Sequence, residues 1–313
     1  DKAESRGLGD VYKRQYTSAA DVTTGNSLGM NTDLTFTGST DTDFGTATWT
    51  MATDGTFLGD SGADHTLKFA TDIGTLGVGN SGDAANAVDD ITPTAWEEAN
   101  GANSGTYSSD VGAGMDGSMS VSYGNSDLFG TGISVAYNYY PKLDGTTNNE
   151  KGSTADTNAN TNSAYSANVG LPLANLPIIG DTVIGGMKIT AGYHESESRL
   201  ENGVDLRGGT VAVNLPVGPL SVGYQKKGHQ ALDTGTSTAE STKAFYRDDV
   251  LGVAYAVNDD FAISYNVYES VKHLHSAGTT VEQESKAINI AYTVGGVTSV
   301  SYTHLRAHET QPY

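Results

Sequence analysis

The sequence predicts an all-β protein, specifically a transmembrane antiparallel up-and-down β-barrel. Three observations predict it. Apolar residues recur with a period of two along nearly the whole chain, as in strands that have two different faces. Short turns and long loops follow one another in order. The residues opposite the apolar ones are small or polar, which indicates an aqueous interior and an apolar exterior.

Thirteen segments carry the alternation, and most of their apolar residues are β-branched or aromatic, the types favoured in strands. In chain order their apolar positions span residues 34–36, 47–51, 67–69, 76–78, 119–123, 133–139, 165–171, 187–193, 211–217, 220–224, 251–257, 261–267 and 288–294. A fourteenth segment starts at Val297, and residues 16–27 are a candidate for one more.

The connections between these segments fall into two classes. Short turns are predicted at residues 40–43, 72–74, 125–132, 216–219, 258–260 and 295–296, with a longer, irregular one at 174–186. Long loops are predicted at residues 53–64, 80–117, 142–162, 196–203, 228–243 and 272–281. A meander whose two ends differ this consistently is typical of an outer-membrane barrel, whereas a Greek-key sandwich has no reason to sort its loops.

Composition excludes several classes of protein. The chain has 313 residues, a net charge of −20 and no cysteine. The acidic balance argues against nucleic-acid binding, and the missing thiols exclude disulfides and thiolate metal sites. No run of 18 apolar residues is present, which excludes transmembrane helices but not transmembrane strands.

The two ends of the chain differ from the rest in composition. Residues 5–15 read SRGLGDVYKRQ and residues 300–310 read VSYTHLRAHET. A back-translation of the first, reverse-complemented and read in a shifted frame, encodes VSYTHLRAHE. We therefore interpret residues 1–15 and 300–313 as translated sequencing adapter and residues 16–299 as the natural barrel segment. Neither end is expected to form a strand of the sheet.

Three stretches carry a family resemblance. DIGTLGVGN at residues 72–80, GMDGSMSVSYGN at 114–125 and GTGISVAYNYYP at 130–141 resemble a Gram-negative general porin of the alphaproteobacterial type. The resemblance implies a 16-stranded barrel, usually a homotrimer, that lets small hydrophilic solutes and ions diffuse across the outer membrane. It implies no cofactor and no metal. The strand count fits such a barrel cut at both ends.

The family resemblance also implies an acidic third external loop that folds into the lumen and faces basic residues on the opposite wall. Only the loop at residues 80–117 is long enough for this role. Its candidate constriction residues are Asp83, Asp89, Asp90, Glu97 and Glu98. Within it TPTAWEEANG predicts a short helix, with Thr92 as N-cap, Pro93 at the first position and Gly101 past its end. The alternative is a solvated loop that folds outward.

The candidate basic residues of the pore wall are Lys68, Lys188, Arg207 and Lys227. Three of them are lysines whose parity places them on the small, polar side of their strands. Arg207 joins them only if Gly208 and Gly209 form a bulge that resets the register. With an acidic loop in a narrow aqueous passage, the channel is expected to prefer cations mildly.

Two other functions compete with a channel. The first is a surface-displayed β-rich adhesin or passenger domain, favoured by the Gly, Thr, Asn and Ser content, although no fixed repeat is found. The second is a barrel enzyme, but no HExxH, GxSxG or paired-carboxylate pattern accompanies the histidines. The predicted partners are outer-membrane lipids, further copies of the chain, and small solutes and ions, with no nucleic acid.

Overall fold

The chain folds into one sheet of strands that follow one another in sequence order. The structure, a computed structural model, describes residues 34–53, 64–80, 82–96, 98–99, 115, 118–141, 161–176, 179–180, 182–198, 205–230, 244–274, 280–294 and 297–310. The strands are β1 Leu34–Thr42, β2 Gly45–Thr53, β3 Asp64–Thr71, β4 Gly74–Asn80, β5 Met119–Asn125, β6 Ser134–Tyr140, β7 Thr161–Pro172, β8 Lys188–Ser198, β9 Leu206–Val217, β10 Leu220–Gln230, β11 Ala244–Asn258, β12 Phe261–Leu274, β13 Thr280–Val294 and β14 Val297–Thr310.

The topology is that of an up-and-down barrel. Each strand pairs antiparallel with the next, from β1 to β14, in one 14-stranded sheet. Every segment predicted from the alternation overlaps one of these strands, so the predicted fold class is confirmed. The strands flanking the later long loops extend well beyond the predicted apolar positions, and β11 and β13 each have 15 residues.

Two of the short turns have the same sequence pattern and the same hydrogen bond. At residues 42–45 and 71–74 the sequence is Thr-Asp-x-Gly, and the threonine hydroxyl donates a hydrogen bond of 2.7 Å to the glycine carbonyl in both. Gly45 and Gly74 have φ values of 128° and 127°. Residues with a side chain rarely adopt this conformation, so glycine is required where the chain re-enters the sheet.

The two faces of the sheet have opposite chemistry. The outer face carries exposed large apolar side chains, among them Phe36, Trp49, Leu67, Val78, Val121, Tyr137, Val169, Tyr193, Val211, Tyr224, Leu251, Ile263 and Ile290. The inner face carries buried polar side chains, among them Asn138, Ser166, Thr190, Gln225, Asn266 and Asn289. This inversion of the usual pattern fits a sheet with lipid outside and water or polar protein groups inside.

One expectation about the ends of the chain is wrong. β14 continues through the stretch that starts at Val300 and pairs with β13, with a register shift between Glu284 and Lys286. A strand edge offers backbone N–H and C=O groups that almost any extended chain can pair with, so pairing does not require native side chains. Residues 5–15 lie outside the described residues, and the adapter origin of both ends stays a prediction.

Helical structure is confined to short 3₁₀ turns in the part of the chain that the structure describes, such as Asn86–Val88 and Leu128–Gly130. None of these segments is long and apolar enough to cross a membrane.

Candidate functional site

The described residues of the long segment between β4 and β5 lie against the inner face of the sheet. Ala84, near their start, contacts β7. There the Ala84 N–H donates to the Ser166 hydroxyl at 3.2 Å, and the Asn168 amide donates to the Ala84 carbonyl at 2.6 Å. β7 is the third strand after β4 in the sheet, so the loop has passed over the two strands between them.

The middle of the loop is fixed by two side-chain amides. Gln225 on β10 donates to the Val88 carbonyl at 2.9 Å and accepts from the Ile91 N–H at 3.2 Å. Asn214 on β9 donates to the Ile91 carbonyl at 2.8 Å. An amide side chain offers both a donor and an acceptor, so it can satisfy the backbone groups of an irregular segment much as a neighbouring strand would.

The far part of the loop reaches β12 and β13. Asn266 donates to the Pro93 carbonyl at 3.2 Å, Ser264 accepts from the Ala95 N–H at 2.8 Å, and Asn289 donates to the Thr94 hydroxyl at 3.2 Å. Beyond them, Ala99 packs into a small apolar cluster with Val250, Tyr268 and Ala287. The described loop therefore runs across the wall formed by β7 to β13.

Glycines on the inner face make room for the loop. A Cβ atom added at Gly192 would lie 2.6 Å from Val88, and one added at Gly252 would lie 2.7 Å from the Pro93 carbonyl oxygen. Gly223 is in the same situation beneath Pro93. Side chains at these positions would hold the loop away from the strands.

The predicted helix at Thr92 is not formed in the described residues. Residues 92, 95 and 96 lie in bends, and residues 93 and 94 have no regular secondary structure. With Thr92 as N-cap, the first helical hydrogen bond would run from the Trp96 N–H to the Thr92 carbonyl. Instead the Trp96 N–H donates to the Thr94 hydroxyl at 3.3 Å, and the Ala95 N–H donates to Ser264 on the wall.

A buried charge cluster joins the loop to the wall. Lys227 on β10 has no exposed side-chain surface, and its ammonium lies 3.4 Å from Oδ1 of Asp89. It also donates a hydrogen bond to the Asp90 carboxylate. Asp89 is buried, whereas the side chain of Asp90 is 49% exposed. One lysine thus balances part of the charge of two carboxylates, and the more exposed of the two, Asp90, is accessible to solvent.

Glu98 adds a third carboxyl to this cluster. Its Oε1 accepts hydrogen bonds from the Thr92 N–H at 2.9 Å and from the Thr92 hydroxyl. Burial and the nearby Asp90 charge raise the pKa of Glu98 to about 7, against the lowering effects of Lys227 and the two Thr92 hydrogen bonds. The charge of the cluster therefore depends on pH near neutrality.

The two remaining acidic candidates are Asp83 and Glu97. Asp83 is buried at the start of the described loop, where its Oδ1 accepts from the N–H groups of Ala85 at 2.6 Å and Asn86 at 3.3 Å. This is a local turn that orders the loop. Glu97 lies outside the described residues.

The other basic candidates occupy three different positions. Lys188 lies on the inner face of β8 directly opposite Asn214, one of the loop anchors. Lys68 is exposed on the inner face of β3, a strand for which no hydrogen bond to the described loop is found.

Arg207 corrects an expectation. β9 pairs with β8 and β10 without a register shift through Gly208 and Gly209, so the bulge that would have turned Arg207 inward is absent. Arg207 lies on the outer face, where its guanidinium forms ion pairs of 3.0 Å with Glu195 and with Asp205.

Sequence reasoning missed one buried acid and the anchoring role of the amides. Asp248, on β11 directly opposite Lys227, accepts hydrogen bonds from the hydroxyls of Tyr268 and Ser270. Its alternating position marks it as inner, but it falls between the predicted loop at residues 228–243 and the apolar positions that start at Leu251. Asn266 and Asn289 fit the small or polar side of their strands, yet nothing local indicates which loop they bind.

Comparisons with known proteins identify the family to which this chain belongs. A family model described as Gram-negative porin matches residues 7–311. A search of curated protein sequences finds no match.

Several solved structures share the fold. A porin refined at 1.8 Å resolution is 15% identical, with a TM-score of 0.56 over 90% of this chain and 87% of that one. The trimer form of OmpT from Vibrio cholerae is 12% identical, with a TM-score of 0.58 over 90% and 81%. An anion-selective porin from Comamonas acidovorans is 12% identical, with a TM-score of 0.51 over 83% and 76%. Because the family model spans nearly the whole sequence, this chain belongs to the Gram-negative porin family and is a channel protein of the outer membrane.

Proposed function

We propose that this porin passes small hydrophilic solutes and ions with a modest preference for cations, and that the acidic loop on the inner face sets this preference. The observation that carries the proposal is the position of Asp90. Its side chain is half exposed on the inner face of the sheet, while Lys227, with which it pairs, is completely buried.

The charge balance of the cluster supports a negative passage. Asp89, Asp90 and, above neutral pH, Glu98 surround one lysine. Fixed negative charge in a narrow aqueous passage raises the local concentration of cations and lowers that of anions. The preference should weaken at high salt, because the Debye length shrinks from about 10 Å at 0.1 M to about 3 Å at 1 M.

Lys68 and Lys188 add positive charge to the inner face, on strands other than that of Lys227. Both side chains are exposed. Opposite charges on different parts of one wall would create a field across the passage, which orients polar solutes and disfavours apolar ones. This arrangement favours a general diffusion channel over a catalytic site, and we propose no enzymatic role.

A trimeric assembly is part of the proposal. The apolar outer face would then contact lipid on some strands and further copies of the chain on others. The trimer form of OmpT, which shares the fold, supports this expectation.

The decisive experiment is a reversal-potential measurement in planar bilayers under a salt gradient. Wild-type channels should show a reversal potential of the sign expected for cations, and Asp90→Asn should move it toward zero. The matched control is Asp249→Asn, which removes a carboxylate from the outer face, where Asp249 pairs with Lys226 at 2.7 Å. Anion preference in the wild type, or equal shifts in both variants, would refute the assignment to the loop.

A further inference from the structure

Two histidines on non-adjacent strands meet on the inner face of the sheet. His194 on β8 and His229 on β10 are both the cross-strand partner of Gly208 on β9. Their ring centroids are 5.6 Å apart, and the rings are inclined at 43°. His229 lies two residues beyond Lys227 on the inner face of β10.

Gly208 is what allows the rings to meet. Neighbouring strands are about 4.8 Å apart, so residues on β8 and β10 are separated by about twice that distance. The two imidazoles lean toward each other over the intervening position. A Cβ atom added at Gly208 would lie 2.9 Å from Nε2 and 3.0 Å from Nδ1 of His194. The absence of a side chain there creates the space that the His194 ring fills.

Three of the four ring nitrogens are buried and lack a hydrogen-bond partner among the described residues. His194 is completely buried, and neither its Nδ1 nor its Nε2 has a hydrogen-bond partner among the described residues. The buried Nδ1 of His229 is in the same state. Leaving a buried polar group unpaired typically costs about 1–3 kcal/mol. Each neutral imidazole carries one N–H and one nitrogen with a lone pair, so one metal ion between the rings can accept the lone pair of each.

We propose that His194 and His229 together bind one divalent transition-metal ion of the class that prefers imidazole, such as Cu²⁺ or Zn²⁺. With metal–nitrogen distances of about 2.0–2.1 Å, each ring centroid lies about 3.2 Å from the metal. Two imidazoles about 110–125° apart around it then have centroids about 5.2–5.7 Å apart. The observed separation of 5.6 Å lies within that range.

Water would complete the coordination. The described residues contain no group of three or more His, Cys, Asp or Glu side chains suited to a metal, so the site offers two protein ligands. His194 is sealed, whereas His229 is partly exposed and supplies the route for the ion. The surroundings of His229 include the Tyr246 ring, 6.2 Å away, and Lys272, whose ammonium lies 5.3 Å from the centre of that ring.

Copper binding to the folded protein in detergent tests the proposal without measuring ion flow. Electron paramagnetic resonance of the Cu²⁺ complex near neutral pH should show one site per chain with two nitrogen ligands. His194→Ala and His229→Ala should each weaken Cu²⁺ binding about tenfold or more, since even loss of an outer-shell partner commonly weakens metal sites 10–100-fold. Zn²⁺ should compete for the same site.

The matched control is His273→Ala, because His273 is exposed at the end of β12. It should leave the two-nitrogen site unchanged. His229→Gln, at the partly exposed position, serves if removal of the buried ring prevents folding. Absence of a stoichiometric two-nitrogen site, or a site that survives both His194→Ala and His229→Gln, would overturn the proposal. Neither outcome bears on cation preference, which is measured separately.

Discussion

The ammonium of Lys227 lies 3.4 Å from Oδ1 of Asp89, and both side chains are almost completely buried. Transfer of these charges out of water is unfavourable, and mutual attraction compensates only while both partners are present. Lys227 lies on a strand and Asp89 lies in the loop. This ion pair therefore stabilises the loop in its position against the inner face.

Lys227→Met should destabilise the folded protein by about 3–5 kcal/mol, because it leaves buried carboxylates without their counter-charge. The measurement is the free energy of unfolding in detergent by urea titration, with the temperature of the folded-to-unfolded band shift in gel electrophoresis as a second readout.

Lys226→Met is the matched control for this substitution. Lys226 is the adjacent residue on β10, but its side chain is half exposed on the outer face and pairs with Asp249. Exposed ion pairs contribute about 0–1 kcal/mol, so little change is expected. Equal destabilisation by the two substitutions would contradict a specific role for the buried pair.

Glu98 should make ion selectivity depend on pH. Its pKa of about 7 means that the loop gains a negative charge as pH rises through neutrality. Cation preference should therefore increase between about pH 5 and about pH 9, with a midpoint near the pKa. Reversal potentials recorded across this range provide the test.

The same shift has a consequence for stability. Because the folded-state pKa is raised above the reference value of 4.5, burial of neutral Glu98 contributes its full stability below that value. The contribution is lost progressively as pH rises toward and through about 7. Glu98→Gln keeps an oxygen to accept the Thr92 hydrogen bonds and should abolish this component. A pH dependence that persists unchanged in Glu98→Gln would assign it to another group.

The strands could be predicted because their causes are local. Alternation such as Ile263, Ser264, Tyr265 and Asn266 places apolar side chains outside and polar ones inside, and the structure has that arrangement. The prediction for Arg207 failed because two consecutive glycines allow a bulge without requiring one. The observed register passes through them regularly.

The path of the loop could not be predicted, because its causes are distant in sequence. Thr94 meets Asn289, 195 residues away. Local propensity favoured a helix at Thr92. Instead the loop takes an irregular path, in which the Ile91 carbonyl accepts from Asn214 and the Ala95 N–H donates to Ser264. Only the net acidity of the loop and its length were visible in the sequence.

Gly252→Ala should push the loop away from the inner face of β11. The added Cβ atom would lie 2.7 Å from the Pro93 carbonyl oxygen and 2.9 Å from both Thr92 and the Asn266 amide. Overpacking of this kind typically costs about 1–3 kcal/mol. We expect a lower free energy of unfolding and a changed single-channel conductance.

Gly228→Ala provides the comparison for Gly252→Ala. Gly228 lies on the outer parity of β10, and an added Cβ atom there would make only ordinary contact with Phe245, at 3.5 Å. Its conductance should equal that of the wild type. If Gly228→Ala changed the conductance as much as Gly252→Ala does, the conductance would depend on the glycine content of the strands and not on the packing of the loop against Gly252.

The orientation of the two faces can be tested with a pair of neighbouring lysines. Ile290 on β13 is an exposed apolar residue of the outer face, and Ala291 follows it on the inner face. A lysine facing lipid near the bilayer midplane costs about 2–4 kcal/mol and less toward the interfaces, whereas one facing a water-filled lumen does not. Ile290→Lys should therefore lower the free energy of unfolding in lipid vesicles, and Ala291→Lys should change it little while reducing cation preference. If Ala291→Lys were the more destabilising of the two, the assignment of lipid to the outer face would be reversed.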